Sequence, residues 1–159
     1  MTGKRIETPV CENLMVGMAV GLALEGYRPV VCFERHDFLL LGLDGIVNHI
    51  DKLPQMSGDQ YKLPILIRCI VGAREPINPG PQHIQDYGIE LKSMLKNTPV
   101  IYASGPHSVG LSLSRVGETP SGAVVLVEDR DAYKTEVEIN DREYGQYNQT
   151  ILETQKRND

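Results

Sequence analysis

Glu12 is an acidic residue at the start of a segment, 11–24, that is apolar on every side. A helix with no polar face is buried all round, either in a core or beneath a partner. A carboxylate at the start of such a helix is costly to desolvate unless something bonds it. Glu12 is therefore either a capped structural acid that complements the helix dipole or a group that takes part in chemistry.

His83 is the second residue whose type and position suit chemistry. It follows a loop, 71–81, that holds three prolines and two glycines and shows no periodicity. Loops on rigid α/β scaffolds often carry function, and a side chain that titrates near neutral pH suits proton transfer. The alternative is an ordinary solvated loop histidine.

Metal-binding chemistry is not indicated. The four histidines and three cysteines are scattered, and the chain has no Cys-x-x-Cys pair, so no metal ligand is expected. Cys11, Cys32 and Cys69 lie in or beside apolar segments. We expect all three to be buried free thiols in a reducing compartment.

The bulk properties restrict the class of protein. A chain of 159 residues with 41% apolar residues suits one domain with a sizeable core. A net charge of −5 without a basic cluster argues against a nucleic-acid partner. Charged residues interrupt the richest apolar region, so no membrane span is expected. The amino terminus shows no apolar signal core, which favours a cytoplasmic protein.

The elements that must position these residues alternate in type. Apolar runs, glycines and prolines predict helices over 9–24, 38–52, 84–95 and 108–116, and strands over 29–33, 64–70, 99–103 and 122–128. Alternation of this kind predicts an α/β fold, with a mainly parallel sheet and helices on both faces. Residues 1–133 should form this domain, and the polar residues 134–159 a tail, arm or linker.

Gly17 and Gly21 form a pair of small residues one helical turn apart on the apolar helix. Such a pair permits close approach of another helix. The contact could lie between subunits or within the domain, and the spacing does not choose between them.

The order of particular residues along the chain resembles a known family. The shared positions are Thr8-Pro9, Glu12, Gly17, Ala19, Gly21, Gly26, Arg28-Pro29, Phe38, Asp44, Asn48, Lys52, Met56-Ser57-Gly58, Pro64, Arg68 and Gln82-His83. This pattern, over about 5–133, resembles the pyrimidine-binding domain of transketolase-like thiamine diphosphate enzymes. The nearest likeness is to the beta subunit of the 2-oxo acid dehydrogenase decarboxylases.

The resemblance implies roles for three residues. Glu12 matches the glutamate that bonds N1′ of the cofactor's pyrimidine and favours its imino tautomer, which then takes the proton from the thiazolium carbon. Phe38, 26 positions later, matches the aromatic residue that stacks on the pyrimidine. His83 matches a histidine that faces the substrate or acyl acceptor. The implied cofactors are thiamine diphosphate and Mg²⁺.

The chain also departs from the family. The family's first helix and strand and its carboxy-terminal domain have no counterpart, and no Gly-Asp-Gly followed by Asn-Asn occurs. Gly42-Leu43-Asp44-Gly45 is only superficially similar, because it lies inside a predicted helix. The diphosphate and Mg²⁺ ligands are therefore expected from a partner subunit. The polar series 34–37 replaces an apolar position, and its Arg35 and His36 could bind an anionic substrate or lie at the surface.

These observations predict the pyrimidine-binding subunit of a split thiamine diphosphate enzyme that acts on a 2-oxo acid or ketose. It would work with a diphosphate-binding partner, as a hetero-oligomer or a homodimer, with the 11–24 helix in the interface. One alternative is a non-catalytic truncated relative that serves assembly or regulation. Another is an α/β binding module whose likeness is confined to the fold.

Overall fold

The fold is built on four parallel strands. A computed structural model describes residues 5–72, 74–103, 105–117 and 122–134. Strands β1 (Val30–Phe33), β2 (Leu66–Val71), β3 (Val100–Ala103) and β4 (Val124–Asp129) form one sheet in the order β1-β2-β4-β3. Every neighbouring pair is parallel. The predicted α/β fold with a mainly parallel sheet is confirmed.

Helical segments connect the strands. They are α1 (Glu12–Leu24), α2 (His36–Leu39), a 3₁₀ turn (Leu40–Gly42), a π-helical segment (Gly45–Ile50), α3 (Leu53–Met56), α4 (Gly88–Met94), α5 (Pro106–Gly117) and a second 3₁₀ turn (Arg130–Lys134). The segments after β1 and β2 pack with α1 on one face of the sheet. Helix α5 packs on the other face, against Leu66 and Leu126.

The chain order explains this division of the helices. The chain passes from β1 to β2 and on to β3 at the far edge, and then returns to insert β4 between β2 and β3. Right-handed crossovers place the connecting helix on the opposite face when the direction reverses. Helix α5 is that connection. Because α5 lies over β2, β3 and β4, the same face of β1 is open, and Val30 there is 56% exposed.

The predicted helix over 38–52 is not one continuous helix. Its place is taken by α2, the 3₁₀ turn and the π-helical segment. A Cβ atom at Gly42 would lie 2.8 Å from Val16 Cγ2, and one at Gly45 would lie 2.6 Å from Val16 Cγ1. These glycines let α1 approach the backbone of this region closely, and the regular α-helical ladder changes type along the same contact.

Helix α1 is buried on only one side within this chain. It begins at Glu12 rather than at Pro9. Val16, Ala19 and Ala23 are buried, whereas Leu14 and Leu24 are 47% and 46% exposed. A Cβ atom at Gly17 or Gly21 would meet nothing within 4 Å. Of the two alternatives for this helix, burial all round in a core is not what the described residues show, and burial beneath a partner stays a prediction. Among the described residues, Gly17 and Gly21 serve no close packing within the domain.

The cysteine prediction holds for one residue of three. All three thiols are free; Cys69 is buried, but Cys11 and Cys32 are exposed. Cys32 lies on β1, whose outer face α5 does not reach, and Cys11 precedes the first turn of α1. Free thiols were therefore predicted correctly, and burial was wrong for these two.

The predicted tail lies almost wholly outside the described residues, which end at 134. The division into residues 1–133 and 134–159 stays a prediction. Among the helices that the structure does describe, none is long and apolar enough to cross a bilayer.

Candidate functional site

The candidate site lies where β1 and β2 end at the carboxyl edge of the sheet. Helix α2 begins three residues after Phe33, the last residue of β1. Arg35, between them, donates a hydrogen bond from Nη1 to the carbonyl oxygen of Gly72, directly after β2, at 2.9 Å. Ligands of open α/β sheets bind in crevices at this edge. The bond between Arg35 and Gly72 joins the segments that follow β1 and β2 at this edge.

Two of the three predicted site residues come together here. The rings of Phe38 and His83 lie edge to face, with centroids 5.4 Å apart and planes inclined by 64°. Both side chains are half-buried. The backbone N–H of His83 donates to the carbonyl oxygen of Gly80 at 3.2 Å. This hydrogen bond closes the turn that positions the His83 ring. Phe38 and His83, which are 45 positions apart in sequence, are therefore in contact.

Three buried polar atoms on or beside α2 lack partners. Within the described ranges, the buried side-chain nitrogen and oxygen atoms without a hydrogen-bond partner are His36 Nε2, Asp37 Oδ2 and His83 Nδ1. Folded proteins satisfy nearly all such atoms. His36 and Asp37 belong to α2, and His83 contacts Phe38 of the same helix.

His36 is completely buried, and its contacts define its protonation state. Its Nδ1 accepts a hydrogen bond from the backbone N–H of Tyr87 at 3.2 Å and lies 3.5 Å from Asp86 Oδ1. Burial lowers the pKa of His36, although the carboxylates of Asp86 and Asp37 act in the opposite direction. The imidazole is therefore neutral at pH 7. The alternative that His36 lies at the surface was wrong, because its side chain is buried. The hypothesis that Arg35 and His36 bind an anionic substrate stays a prediction.

Glu12 occupies the first turn of α1 and is half-buried. No hydrogen bond or ion pair joins its carboxylate to the residues that the structure describes, and Cys11 provides no side-chain cap. Its carbonyl oxygen would lie 3.3 Å from a Cβ atom at Gly42, so Glu12 adjoins the segment that follows Phe38. Its place in the first turn suits the alternative of an acid that complements the helix dipole, which therefore stays open. Glu12 shares no hydrogen bond with Phe38 or His83, and the roles of all three stay predictions.

A charged cluster that the sequence analysis missed ties β2 to β4. Arg68 bonds the carboxylate of Glu128 with both Nε and Nη2, the latter at 2.7 Å, and Tyr133 donates to the same carboxylate. Burial alone would raise the pKa of Glu128, but these donors lower it. Two opposite charges inside otherwise apolar strands were the signal that could have revealed the pair.

Metal ligands were not predicted in this chain. Across the residues that the structure describes, no three His, Cys, Asp or Glu side chains converge in a way that could hold a metal ion.

The comparisons with known proteins agree with this architecture. Residues 2–136 match the family described as transketolase, pyrimidine binding domain. The chain is 34% identical over 142 residues to pyruvate dehydrogenase E1 component subunit beta-4, chloroplastic, of Oryza sativa subsp. japonica, covering 87% of this chain and 34% of that protein. It is 33% identical over 132 residues to pyruvate dehydrogenase E1 component subunit beta of Rickettsia conorii, covering 80% of this chain and 38% of that protein.

The chain thus spans little more than a third of these curated relatives. The family match nevertheless covers most of its length, and the four parallel strands with helices on both faces suit it. The chain belongs to the family of transketolase pyrimidine-binding domains.

Proposed function

We propose that this chain is the pyrimidine-binding subunit of a split thiamine diphosphate enzyme that cleaves a bond next to the carbonyl of a 2-oxo acid or ketose. The main support is the contact between Phe38 and His83, together with three buried polar atoms of α2 and of His83 that lack partners within the described ranges. A planar, hydrogen-bonding ring such as an aminopyrimidine fits these features, because it offers an apolar face as well as donors and acceptors. The family and the names of the relatives support the same class.

The residues present fit the pyrimidine part of the cofactor. Phe38 offers a half-buried ring, and stacking adds about 0.5–1.5 kcal/mol beyond burial. Glu12 has a carboxylate without a partner among the described residues, and it can share a proton with pyrimidine N1′. His83 can hold or release a proton toward the substrate. When bound, thiamine diphosphate supplies the carbanion chemistry, whereas the protein orients and tunes it.

The remaining ligands should come from elsewhere in the assembly. The sequence contains no Gly-Asp-Gly followed by Asn-Asn. We therefore assign the diphosphate and Mg²⁺ ligands to a partner chain, and we place the exposed face of α1 in the interface with a partner or with a second copy. Leu14 and Leu24 on that face suit burial against another protein.

Cofactor binding tests the split site. By calorimetry, the chain alone should not bind thiamine diphosphate tightly; mixed with a cognate chain that carries the diphosphate motif, and with Mg²⁺, it should. Glu12→Gln should retain binding in the mixture but lower turnover by about 10²–10⁴-fold, because the amide cannot exchange a proton with N1′. Glu25→Gln, at the exposed opposite end of α1, is the matched control.

Two results would contradict the proposal. Micromolar binding of the cofactor to the chain alone would show that the site is not split. Unchanged turnover of Glu12→Gln in an active mixture would remove Glu12 from the mechanism.

The second candidate is a non-catalytic relative that serves assembly or regulation. The observation that favours it is the exposed apolar surface of α1, which suits assembly whether or not a cofactor binds. A complex with the partner chain that forms normally, yet neither binds the cofactor nor turns over any 2-oxo acid or ketose, would identify this role.

A further inference from the structure

A buried side chain, His36, contacts the segment that carries His83. His36 is 0% exposed and lies at the start of α2, two residues before Phe38. Its Nδ1 accepts the N–H of Tyr87, and the two rings meet edge to face with centroids 5.7 Å apart. Tyr87 lies four residues after His83. His36 therefore joins the helix of Phe38 to the segment of His83.

Further bonds hold the other side of this segment. Asp86 accepts hydrogen bonds from the hydroxyl of Tyr102 on β3 at 2.9 and 3.0 Å and from the N–H of Gly88 at 2.9 Å. A Cβ atom at Gly88 would lie 2.1 Å from the Tyr102 hydroxyl oxygen, so only glycine permits this approach. The segment is thus clamped between α2 and β3, with His36 as its contact on the side of Phe38.

The hydrogen bond from Tyr87 also determines the tautomer of His36. A nitrogen that accepts an N–H must carry a lone pair, so the neutral ring has its proton on Nε2. Nε2 is buried and has no protein partner. A buried donor of this kind costs free energy unless an acceptor meets it. The N–H at Nε2 therefore has no acceptor among the residues that the structure describes.

We propose that His36, in the tautomer protonated at Nε2, is a positioning residue that sets the His83 ring against Phe38 and thereby the geometry of the substrate side of the site. The proposal rests on the proposed function only for the role of His83 toward substrate. The position and the tautomer of His36 rest on the contacts above. His36 acts through His83 and Phe38.

Two substitutions separate the hydrogen bond from the volume of the ring. His36→Phe keeps an aromatic ring but removes the acceptor for the Tyr87 N–H. His36→Asn loses the ring but places an acceptor near the position of Nδ1. His49, which is exposed on the π-helical segment, provides the control His49→Asn. Nuclear magnetic resonance of the chain alone reports on the geometry without any cofactor.

In the wild type, long-range nitrogen–proton spectra should show the proton of His36 on Nε2. In His36→Phe the Tyr87 amide should exchange about tenfold faster and the His83 ring resonances should shift. His36→Asn should return the exchange rate of the Tyr87 amide and the His83 resonances toward their wild-type values. His49→Asn should change neither quantity. In the assembled enzyme, His36→Phe should lower kcat more than it changes KM, with partial rescue by His36→Asn.

Several outcomes would overturn the proposal. A proton on Nδ1 would mean that His36 donates to Asp86 instead of accepting from Tyr87. Unaltered His83 resonances in a folded His36→Phe would show that His36 does not position that ring. If His36→Phe fails to fold, His83 resonances in a folded His36→Asn that lie as far from the wild type as in a random coil would show that an acceptor at the position of Nδ1 does not position the ring, which also contradicts the proposal. The spectra do not depend on catalysis, so an inactive assembly would count against the proposed function alone.

Discussion

At the scale of single residues, buried charges in this molecule are enclosed by donors. Asp51 is fully buried and accepts the backbone N–H groups of Lys96, Asn97 and Thr98 at 2.8–3.1 Å, and it pairs with Lys52. Burial alone would raise the pKa of Asp51, but these hydrogen bonds outweigh burial and lower it to about 2. The ionised carboxylate therefore stabilises the connection from α4 to β3.

Asp51→Asn should destabilise the fold at pH 7 by about 2 kcal/mol, because the pKa of the wild-type carboxyl is lowered from 3.8 to about 2. This contribution is fully present above the unfolded pKa and is lost as the pH falls from about 4 through about 2. Urea unfolding at pH 7, 5 and 3 measures it.

The difference in the free energy of unfolding between the wild type and Asp51→Asn should become smaller only at pH 3. Asp59→Asn, at an exposed pair with Lys62, should change stability little at any of these pH values. If this difference in the free energy of unfolding does not depend on pH, the substitution removes packing rather than the charge of Asp51.

At the scale of elements, the contact between α1 and residues 40–50 depends on missing side chains. Gly42 and Gly45 leave room for Val16, which is 0% exposed. The sequence shows both glycines, but the apolar periodicity around them predicted a regular helix. The π-helical segment that the structure shows there could not be derived from apolar periodicity, because the requirement for close approach comes from α1, about 30 residues earlier.

Gly45→Ala should lower the free energy of unfolding by about 1–3 kcal/mol, because the new methyl group would lie 2.6 Å from Val16 Cγ1. Gly17→Ala is the matched control, since its new methyl group meets nothing within 4 Å. The control should be neutral or stabilising by up to about 1 kcal/mol, because alanine favours helix. Thermal or urea unfolding under conditions in which the chain is monomeric makes the comparison. Equal free energies of unfolding of the two variants would show that the contact between α1 and residues 40–50 rearranges without a cost in stability.

At the scale of the whole molecule, the exposed apolar side of α1 sets how the chain behaves in solution. Val10, Leu14, Leu24 and Leu41 are 96%, 47%, 46% and 65% exposed. Large apolar patches of this kind mark interaction surfaces in soluble proteins. No described residue lies within 4 Å of a Cβ atom placed at Gly17 or Gly21, so these positions are open to the approach of another helix.

The chain should therefore associate with itself or with a partner through α1. Gly17→Leu or Gly21→Leu should reduce association, because a leucine side chain prevents close approach of a second helix. Light scattering over a range of low concentrations, on the chain alone and on its mixture with the partner chain, measures this association. Ala132→Leu, at an exposed position outside α1, should associate as the wild type does. A wild-type chain that stays monomeric and does not pair with the partner chain would contradict the assignment of this surface.

The sequence by itself determined the order and type of the elements and the fold class. The four predicted strands appear within two residues of their expected ends, because apolar runs bounded by proline and glycine act locally. The family pattern also named Phe38 and His83 before any contact between them was known. The first turn of α1 and the regularity of residues 38–52 were not predicted correctly, since packing between elements modifies both.

Only the tertiary structure decided which of these residues meet. The contact of Phe38 with His83, the burial of His36 beneath Tyr87, and the pairing of Arg68 with Glu128 each join residues more than 40 positions apart. Their geometry depends on strand order and on the face that each helix covers, and local periodicity carries neither. The same holds for the open side of α1: the sequence shows that it is apolar, and the fold decides that the described elements do not cover it.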